Sequence, residues 1–349
     1  MPDTVHKTLI IRFSSVGDIV LSSLLCRALR RRFPSCEIDF LVKGEYASLV
    51  RNNPNLSHIL EFPPSGSIRD LSVFRKKIRE ARYDLIVDAH NSLRSRVLTF
   101  GRPSVRRMRK RRFARALLVR FKWNLYDRFG GAPAVAERYL EPVTDLGVIN
   151  DGNGLELFLD EDTTTSASQL LQEMGSEGPF IGICPSARHG NKMWLAERFA
   201  ETAAILSERL TTGVLVFGSA GEKQRCDEIC NRIRSNNNAA QVMNLAGRTS
   251  LLESAALMDR CAVIISNDSG LMHIAAARKR PTVALFGPTV GEFGFLPFGT
   301  RNIVVQHPTL SCRPCTHIGL PQCPQGHFRC MNELPVERVL AAAETLLNG

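Results

Sequence analysis

The sequence predicts an α/β protein with two doubly wound domains, each a parallel sheet covered by helices. Two observations support this prediction. Short apolar or β-branched runs alternate with helical segments through the first 150 residues, and a second series of the same kind begins near residue 180. Such alternation is typical of parallel sheets with right-handed crossovers. The length of 349 residues is enough for two domains of ordinary size, which we expect at 1–165 and 166–349.

In the first half, apolar runs and helical spacing set the expected elements. A helix over 19–32 carries apolar residues at helical spacing and ends before Pro34. Further helices are expected over 68–81 and near 136–146. The expected strands are 8–13, 37–42, 58–62 and 84–88.

In the second half, the alternation follows a different kind of segment. Residues 151–178 are rich in Gly, Ser, Thr and acidic residues, and we interpret them as an irregular, β-like piece with an interdomain connection. A final helix is expected over 335–347. The expected strands are 180–184, 213–217, 241–245, 262–266, 281–286 and 302–305.

Composition places the chain among soluble globular proteins. Hydrophobic residues make up 44% and charged residues 23%. No apolar run approaches the roughly 18 residues of a membrane span, and the first residues have no signal-peptide pattern. We therefore expect a cytoplasmic protein whose cysteines are mostly reduced.

The positive charge is concentrated in one segment. The net charge is +11, and residues 102–128 hold eleven Lys or Arg against one acidic residue, Asp127. Apolar side chains from Phe113 to Leu125 fall on one helical stripe among the arginines, which favours a helix on an anionic membrane surface. A solvated basic face is the alternative. The candidate acceptor or membrane contacts are Arg109, Lys110, Arg111, Arg112, Arg115 and Arg120.

The stretch 262–277 holds the strongest candidate site. An apolar run turns through Asn-Asp-Ser-Gly into an Ala-rich helix, and the free N–H groups of a helix start favour an anion. Asp268 and Ser269 would lie at this helix start, with His273 one turn further on. The alternative is a plain junction in which Asp268 caps the helix.

Polar residues follow other expected strands as well. Ser186, Arg188 and Lys192 share one short loop, which suits a phosphate or diphosphate. Glu222 follows two glycines, either to accept hydrogen bonds from ribose hydroxyls or as a residue of the first helical turn that favours only the helix dipole. Asp18 follows the first strand, either as a general base or as a cap of the next helix. We interpret the turn at Thr289 as structural. Neither G-x-G-x-x-G after a strand nor a P-loop motif is present.

With these residues in view, the chain resembles the lipopolysaccharide heptosyltransferases of glycosyltransferase family 9. Its motif from Asn267 to His273 is more similar to that of the second heptosyltransferase of the pathway than to that of the first. The motifs that carry the resemblance are Arg12 to Leu21, Asn244 to Gly247, Asn267 to His273 and Arg280 to Thr289.

The resemblance implies a GT-B fold with the acceptor on the first domain and the nucleotide sugar on the second. It implies inverting transfer of heptose from ADP-heptose to a lipid A core acceptor, at the inner face of the inner membrane, with no cofactor for catalysis. Asp18 matches the family's base and Lys192 its diphosphate-binding lysine. The other matched donor residues are Ser186, Glu222, Asp268, Ser269, Gly270 and His273.

A cysteine cluster near the C-terminus lies outside the family mechanism. Cys312, Cys315, Cys323 and Cys330 have C-x₂-C-x₇-C-x₆-C spacing. Four soft ligands in a short loop suit structural zinc, and disulfides or free thiols are the alternatives. The insert is expected to brace the loop beside the donor site.

Two other functions stay open from the sequence. A transferase of the same fold would use another nucleotide sugar. A basic, zinc-containing nucleic-acid-binding protein would use the basic helix, but its aromatic residues are not interleaved as a stacking platform. We therefore expect no nucleic acid partner.

Overall fold

The computed structural model describes residues 5–127, 131–175 and 178–348, so Arg128 of the basic segment lies outside the described residues. The chain divides into two compact units. Unit 1 is Met1–Arg111 with Pro133–Phe158, and unit 2 is Arg112–Ala132 with Leu159–Gly349. The predicted domains meet at 165/166, whereas the units change over at Leu159. The segment Arg112–Ala132, which the prediction places in the N-terminal domain, groups with unit 2.

The described residues form one sheet in each unit. The strands are β1 (Lys7–Ile11), β2 (Glu37–Lys43), β3 (His58–Phe62), β4 (Leu85–Asp88), β5 (Val105–Arg107), β6 (Phe180–Cys184), β7 (Val214–Val216), β8 (Val242–Asn244), β9 (Cys261–Asn267), β10 (Thr282–Phe286) and β11 (Asn302–Gln306). Their order is β3-β2-β1-β4-β5 in unit 1 and β11-β10-β9-β6-β7-β8 in unit 2. Every neighbouring pair is parallel. The predicted α/β class with doubly wound sheets is confirmed.

The edge strand β5 is the strand that the sequence does not predict. Two of its three residues are arginines, so it lacks the apolar run that marks the other strands. It completes the sheet of unit 1 by pairing with β4.

The helices follow the predicted alternation with local differences. They are α1 (Val16–Leu21), α2 (Ser23–Arg32), α3 (Ser48–Arg51), α4 (Ile68–Glu80), α5 (Leu93–Leu98), α6 (Arg112–Phe121), α7 (Val135–Arg138), α8 (Glu161–Met174), α9 (Ala196–Leu210), α10 (Lys223–Asn236), α11 (Leu251–Met258), α12 (Gly270–Ala277), α13 (Arg329–Asn332) and α14 (Val336–Asn348). The single helix expected over 19–32 is broken at Ser22, whose hydroxyl donates to the Ile19 carbonyl at 2.6 Å. The helix expected near 136–146 is α7 followed by the 3-10 helix Glu141–Leu146.

The interpretation of residues 151–178 as irregular and β-like is wrong over α8. Asp160 caps this helix by accepting from the Thr163 N–H at 2.8 Å, and Gly175 ends it in the left-handed conformation, with φ of 64°. Ala167 and Leu171 are buried while most of the helix surface is polar. Its threonine-rich sequence hides the helical period, although the two end signals are present.

Each unit has its own hydrophobic core around the central strands, whose carboxyl ends lead into the candidate sites. In unit 1, Leu9 and Ile11 of β1 are fully buried with Ile86 of β4. In unit 2, Trp194 and Phe199 pack edge to face over the sheet. Among the helices of the described residues, none combines the length and the apolar character that crossing a membrane requires.

Candidate functional site

The strongest candidate site of unit 2 forms where β9 ends and α12 begins. Asn267 is fully buried, and its side-chain amide joins this junction to the loop after β6. Its Oδ1 accepts from the Trp194 N–H at 3.0 Å, and its Nδ2 donates to the Pro185 carbonyl at 2.7 Å. A side-chain amide can donate and accept at once. The two predicted phosphate-binding segments are therefore held together.

Lys192 and Asp268 meet inside this junction. Lys192 Nζ lies 2.6 Å from Asp268 Oδ2, and both side chains are almost buried, with 12% and 9% exposed. The same carboxylate accepts from the Thr289 hydroxyl at 2.7 Å. Asp268 thus holds Lys192 in place, and Thr289, which the sequence suggests is only structural, contacts the site.

Two hydroxyl groups at this junction are unused. Within the part of the chain that the structure describes, Ser186 Oγ and Ser269 Oγ are buried and have no hydrogen-bond partner. Ser269 is the N-cap residue of α12, yet its side chain makes no capping bond. Because buried polar groups in native proteins are nearly always paired with protein, water or ligand atoms, these two hydroxyls are available to a water molecule or a ligand.

The remaining predicted donor residues differ in their surroundings. Arg188 is exposed, and Gly270 opens α12. His273 is buried one turn into α12, with its ring 6.4 Å from that of Phe295. Glu222 is engaged locally, because it accepts from the Ser219 N–H at 2.7 Å and from the Ser219 hydroxyl at 2.9 Å. It acts here as a cap for the turn after β7.

In unit 1, Asp18 lies in the first turn of α1, directly after β1. Its Oδ1 lies 2.6 Å from Arg12 Nη2 and accepts from the Tyr139 hydroxyl at 3.1 Å. Its Oδ2 accepts from the Ser15 hydroxyl at 3.0 Å and from the Ser15 N–H at 3.3 Å. The carboxylate therefore supports its own helix start, as the capping alternative requires. About a fifth of the side chain stays exposed, at 19%.

The charges around Asp18 fix its ionisation. Burial alone would raise the pKa of Asp18, but Arg12 and the hydrogen bonds from Ser15 and Tyr139 outweigh burial, and the pKa is lowered. Burial raises the pKa of Tyr139, so its hydroxyl stays a donor. Asp18 is accordingly a carboxylate at neutral pH.

Several members of these two sites are not predicted from the sequence. Arg12 carries a detectable signal, a charged residue at the end of a buried strand. Tyr139 carries none, since it is 121 positions from Asp18. Asn191 is a further residue that the sequence does not predict. Its N–H donates to the Leu320 carbonyl of the cysteine-rich insert at 3.2 Å, and its Oδ1 accepts from the Leu320 N–H at 2.8 Å.

The basic segment is divided between the two units. Arg109, Lys110 and Arg111 belong to unit 1, where Arg111 pairs with Glu141 at 2.6 Å. Arg112, Arg115 and Arg120 lie on α6 in unit 2. The segment is thus not one continuous basic helix.

The apolar stripe expected on α6 is also divided. Leu118 is buried with Tyr126 and Phe293 of unit 2. Phe113 and Phe121 are exposed at 73% and 53%, and Trp123, just after α6, is 64% exposed. The rings of Phe121 and Trp123 lie 5.6 Å apart. α6 therefore packs on unit 2 by one side and presents aromatic rings to solvent by another.

The four clustered cysteines are free thiols in the structure. A metal ion needs three or more His, Cys, Asp or Glu ligand atoms close together. Among the described residues, one such group has all its ligand atoms within 4.8 Å of one another: Glu37, Asp39 and His58 in unit 1. No three Sγ atoms of Cys312, Cys315, Cys323 and Cys330 are arranged in this way. This arrangement does not match a closed tetrahedral site.

The insert nevertheless contacts the donor junction. Arg313 donates to the carbonyls of Gly287 at 2.5 Å and Thr289 at 3.0 Å, next to the threonine that holds Asp268. A Cβ on Gly190 would come within 2.3 Å of the Pro321 carbonyl, so the insert lies directly on the loop of Lys192. These contacts support the expected bracing role.

Comparison with known proteins shows the family of the chain. The sequence pattern of glycosyltransferase family 9 (heptosyltransferase) matches residues 72–324. Lipopolysaccharide heptosyltransferase 2 of Salmonella typhimurium is 32% identical, over 98% of this chain and 99% of the relative.

Two solved structures are similar over nearly the whole chain. The ADP-heptose lps heptosyltransferase II of E. coli has a TM-score of 0.74 and 26% identity, with 98% of each chain covered. A family 9 glycosyl transferase from Veillonella parvula has a TM-score of 0.80 and 22% identity, covering 100% of this chain and 99% of the other. The expected GT-B fold class is confirmed. The chain belongs to glycosyltransferase family 9, the heptosyltransferases.

Proposed function

We propose that this protein is an inverting transferase that moves heptose from ADP-heptose to the inner core of lipopolysaccharide. The observation that carries the proposal is the junction of unit 2, where the buried Lys192–Asp268 pair lies with the hydroxyls of Ser186, in the loop after β6, and of Ser269, at the start of α12. Neither hydroxyl has a hydrogen-bond partner among the described residues. The names of the heptosyltransferase 2 relatives support the substrate assignment. Membership of a glycosyltransferase family also favours an enzyme over the nucleic-acid-binding alternative.

The donor diphosphate would bind at this junction. An ammonium group, two hydroxyls and the N–H groups that open α12 are donors suited to phosphate oxygens. In the free protein, Asp268 Oδ2 accepts hydrogen bonds from both Lys192 and Thr289. A diphosphate would take further hydrogen bonds from the ammonium, which has three protons to donate. Lys192 and these N–H groups then stabilise the negative charge that grows on ADP as it leaves, and the proposal needs no divalent cation.

Asp18 would act as the general base on the acceptor. The acceptor oxygen bonds the anomeric carbon while the bond from that carbon to the ADP oxygen breaks. The bonding electrons leave with ADP, and the acceptor proton passes to Asp18. In an inverting displacement this base acts on the face opposite the leaving group. Its lowered pKa keeps Asp18 ionised and ready at neutral pH.

We also propose that α6 contacts an anionic membrane surface, where a lipid A core acceptor is held. Phe113, Phe121 and Trp123 are exposed beside Arg112 and Arg120. Aromatic rings and cations together favour the interface of an anionic bilayer. Sedimentation with vesicles that contain anionic lipid, compared with neutral vesicles, tests this contact. Binding that is equal on both, or unchanged by Trp123→Ala with Phe121→Ala, would contradict it.

Direct assay of the donor and the acceptor tests the proposed function. Purified protein is given a truncated core acceptor and, in turn, ADP-heptose, ADP-glucose and UDP-glucose, with and without EDTA. We expect transfer from ADP-heptose, unchanged by EDTA, and an anomeric configuration opposite to that of the donor by NMR. Transfer from another nucleotide sugar alone would favour the same-fold alternative.

Structural zinc at the four cysteines stays a prediction. The sequence spacing supports it, and the arrangement of the thiols does not supply a closed ligand set. Metal analysis of the purified protein and of Cys312→Ser is the test. About one zinc per chain, lost in the variant, would require the loop to close around the ion, whereas absence of metal at neutral pH would end the assignment.

A further inference from the structure

The loop after β4 lies at the same sheet edge as Asp18. β1 and β4 are parallel neighbours, with Ile11 paired to Asp88, so their carboxyl ends are adjacent. Asp88 is fully buried, and its Oδ1 accepts from the backbone N–H groups of His90 at 3.2 Å and Asn91 at 2.7 Å. Its Oδ2 accepts from the Ser95 hydroxyl at 2.8 Å. The backbone around His90 is therefore fixed by a buried carboxylate.

Arg12 joins this loop to the proposed base. One guanidinium nitrogen lies 2.6 Å from Asp18 Oδ1, and another donates to the Ala89 carbonyl at 2.8 Å. A single side chain thus positions Asp18 and the residue before His90. Arg12 therefore fixes the backbone next to His90 relative to Asp18.

The His90 ring has an unused polar atom. It packs edge to face on Phe13, with ring centroids 5.2 Å apart. Within the described residues, its Nδ1 is buried and has no hydrogen-bond partner. Since native proteins seldom leave such an atom unpaired, the free nitrogen indicates a ligand atom that completes it.

The surroundings keep this ring uncharged. The pKa of His90 is lowered to about 3, mainly by burial and also by the neighbouring cations Arg12, Lys110 and Arg94, while Asp18 acts in the opposite direction. At neutral pH the ring is therefore a neutral imidazole, whose nitrogens donate or accept according to the tautomer. A neutral group of this kind matches a sugar hydroxyl, which also donates and accepts.

We infer that His90 is an acceptor-binding residue, whose Nδ1 forms a hydrogen bond with a hydroxyl of the acceptor sugar beside the hydroxyl that Asp18 deprotonates. This inference rests on the proposed function. His90 positions the acceptor and takes no proton in the transfer. Unlike the donor residues, His90 would affect only the binding of the acceptor and not that of ADP-heptose.

Steady-state kinetics on three variants tests the role of His90. His90→Phe keeps a ring against Phe13 but removes both nitrogens, and His90→Ala removes the ring. His90→Asn returns a polar atom near the position of Nδ1. We expect KM for the acceptor to rise about tenfold in the first two variants, as for the loss of one hydrogen bond to a substrate. KM for ADP-heptose should stay within twofold, and His90→Asn should recover part of the loss.

The controls separate this role from a structural one. His58→Gln changes an exposed histidine of the same unit and should leave both KM values unchanged. Thermal unfolding reports any loss of packing, which His90→Phe should largely avoid. An acceptor KM within twofold of wild type for His90→Phe would overturn the inference. So would equal rises in both KM values. Absence of heptose transfer by the wild-type protein would instead reject the proposed function itself.

Discussion

The two candidate sites differ in how completely their polar groups are paired. In unit 1, both oxygens of Asp18 are occupied, by Arg12, Tyr139 and Ser15. In unit 2, the Lys192–Asp268 pair lies with two serine hydroxyls that have no partner among the described residues. A base needs a fixed charge state and direction, which this network supplies, and in our proposal the acceptor hydroxyl replaces the hydrogen bond from the Ser15 hydroxyl to Asp18 Oδ2. A site for a diphosphate instead needs donors that the protein leaves unfilled.

Replacing the base should have the largest effect. Asp18→Asn keeps the size of the side chain but cannot accept the acceptor proton, so we expect kcat to fall by about 10²–10⁴-fold. KM for ADP-heptose should change little, because the network of unit 1 does not bind the donor in our proposal. Release of ADP in a coupled assay measures both constants. Glu80→Gln, at an exposed carboxylate of α4, is the matched control, and near-normal turnover by Asp18→Asn would remove the base assignment.

Removing the cation of the donor site should have the next largest effect. Lys192→Ala deletes the group that faces the leaving ADP in our proposal, and losing one such donor should lower kcat by about 10²–10³-fold. It also removes the cation that pairs with the buried Asp268. Since the donor diphosphate would lose the same cation, ADP-heptose should bind more weakly. Lys223→Ala, at an exposed lysine of α10, should behave as wild type. If Lys192→Ala kept its kcat, the leaving group would have to be stabilised elsewhere.

The closed network can be tested through its pH dependence. The pKa of Asp18 is lowered because Arg12 and the hydrogen bonds outweigh burial, so protonation reduces activity only as the pH falls below the ordinary range of an aspartate. Arg12→Gln removes the positive charge that offsets the effect of burial, so the pKa of Asp18 should rise. The acid limb of kcat/KM should then move to higher pH, while activity at alkaline pH falls less. A pH–rate profile with an unmoved acid limb would show that Arg12 does not control the base.

The two sites also differ in how far the sequence could predict them. Asp18 and Lys192 each follow a buried strand of their own unit, and parallel strands bring their carboxyl ends to one edge of each sheet. The position of each residue in its own unit therefore follows from strand order and family motifs. Tyr139 and Thr289 could not be predicted as partners, because those contacts depend on how distant segments pack. The same limit applies to β5 and α8. Arginines conceal the strand and threonines conceal the helix, so tertiary pairing and helix end signals determine them instead.

The unused hydroxyls should give the smallest effect and the sharpest contrast. Ser186→Ala and Ser269→Ala each remove a donor for the diphosphate, and we expect ADP to bind about fivefold more weakly by calorimetry, since one hydrogen bond contributes about 1 kcal/mol. Stability should not fall, because neither hydroxyl makes a hydrogen bond among the described residues and a buried unpaired oxygen disappears. Ser207 offers the opposite case, as its hydroxyl donates to the Thr212 carbonyl at 2.6 Å. Ser207→Ala should lower the melting temperature and leave ADP affinity unchanged. If Ser186→Ala instead lowered the melting temperature and kept its ADP affinity, the Ser186 hydroxyl would stabilise the fold and not bind the diphosphate. Ser269 would then be the one unpaired hydroxyl left for the ligand among the described residues of this junction.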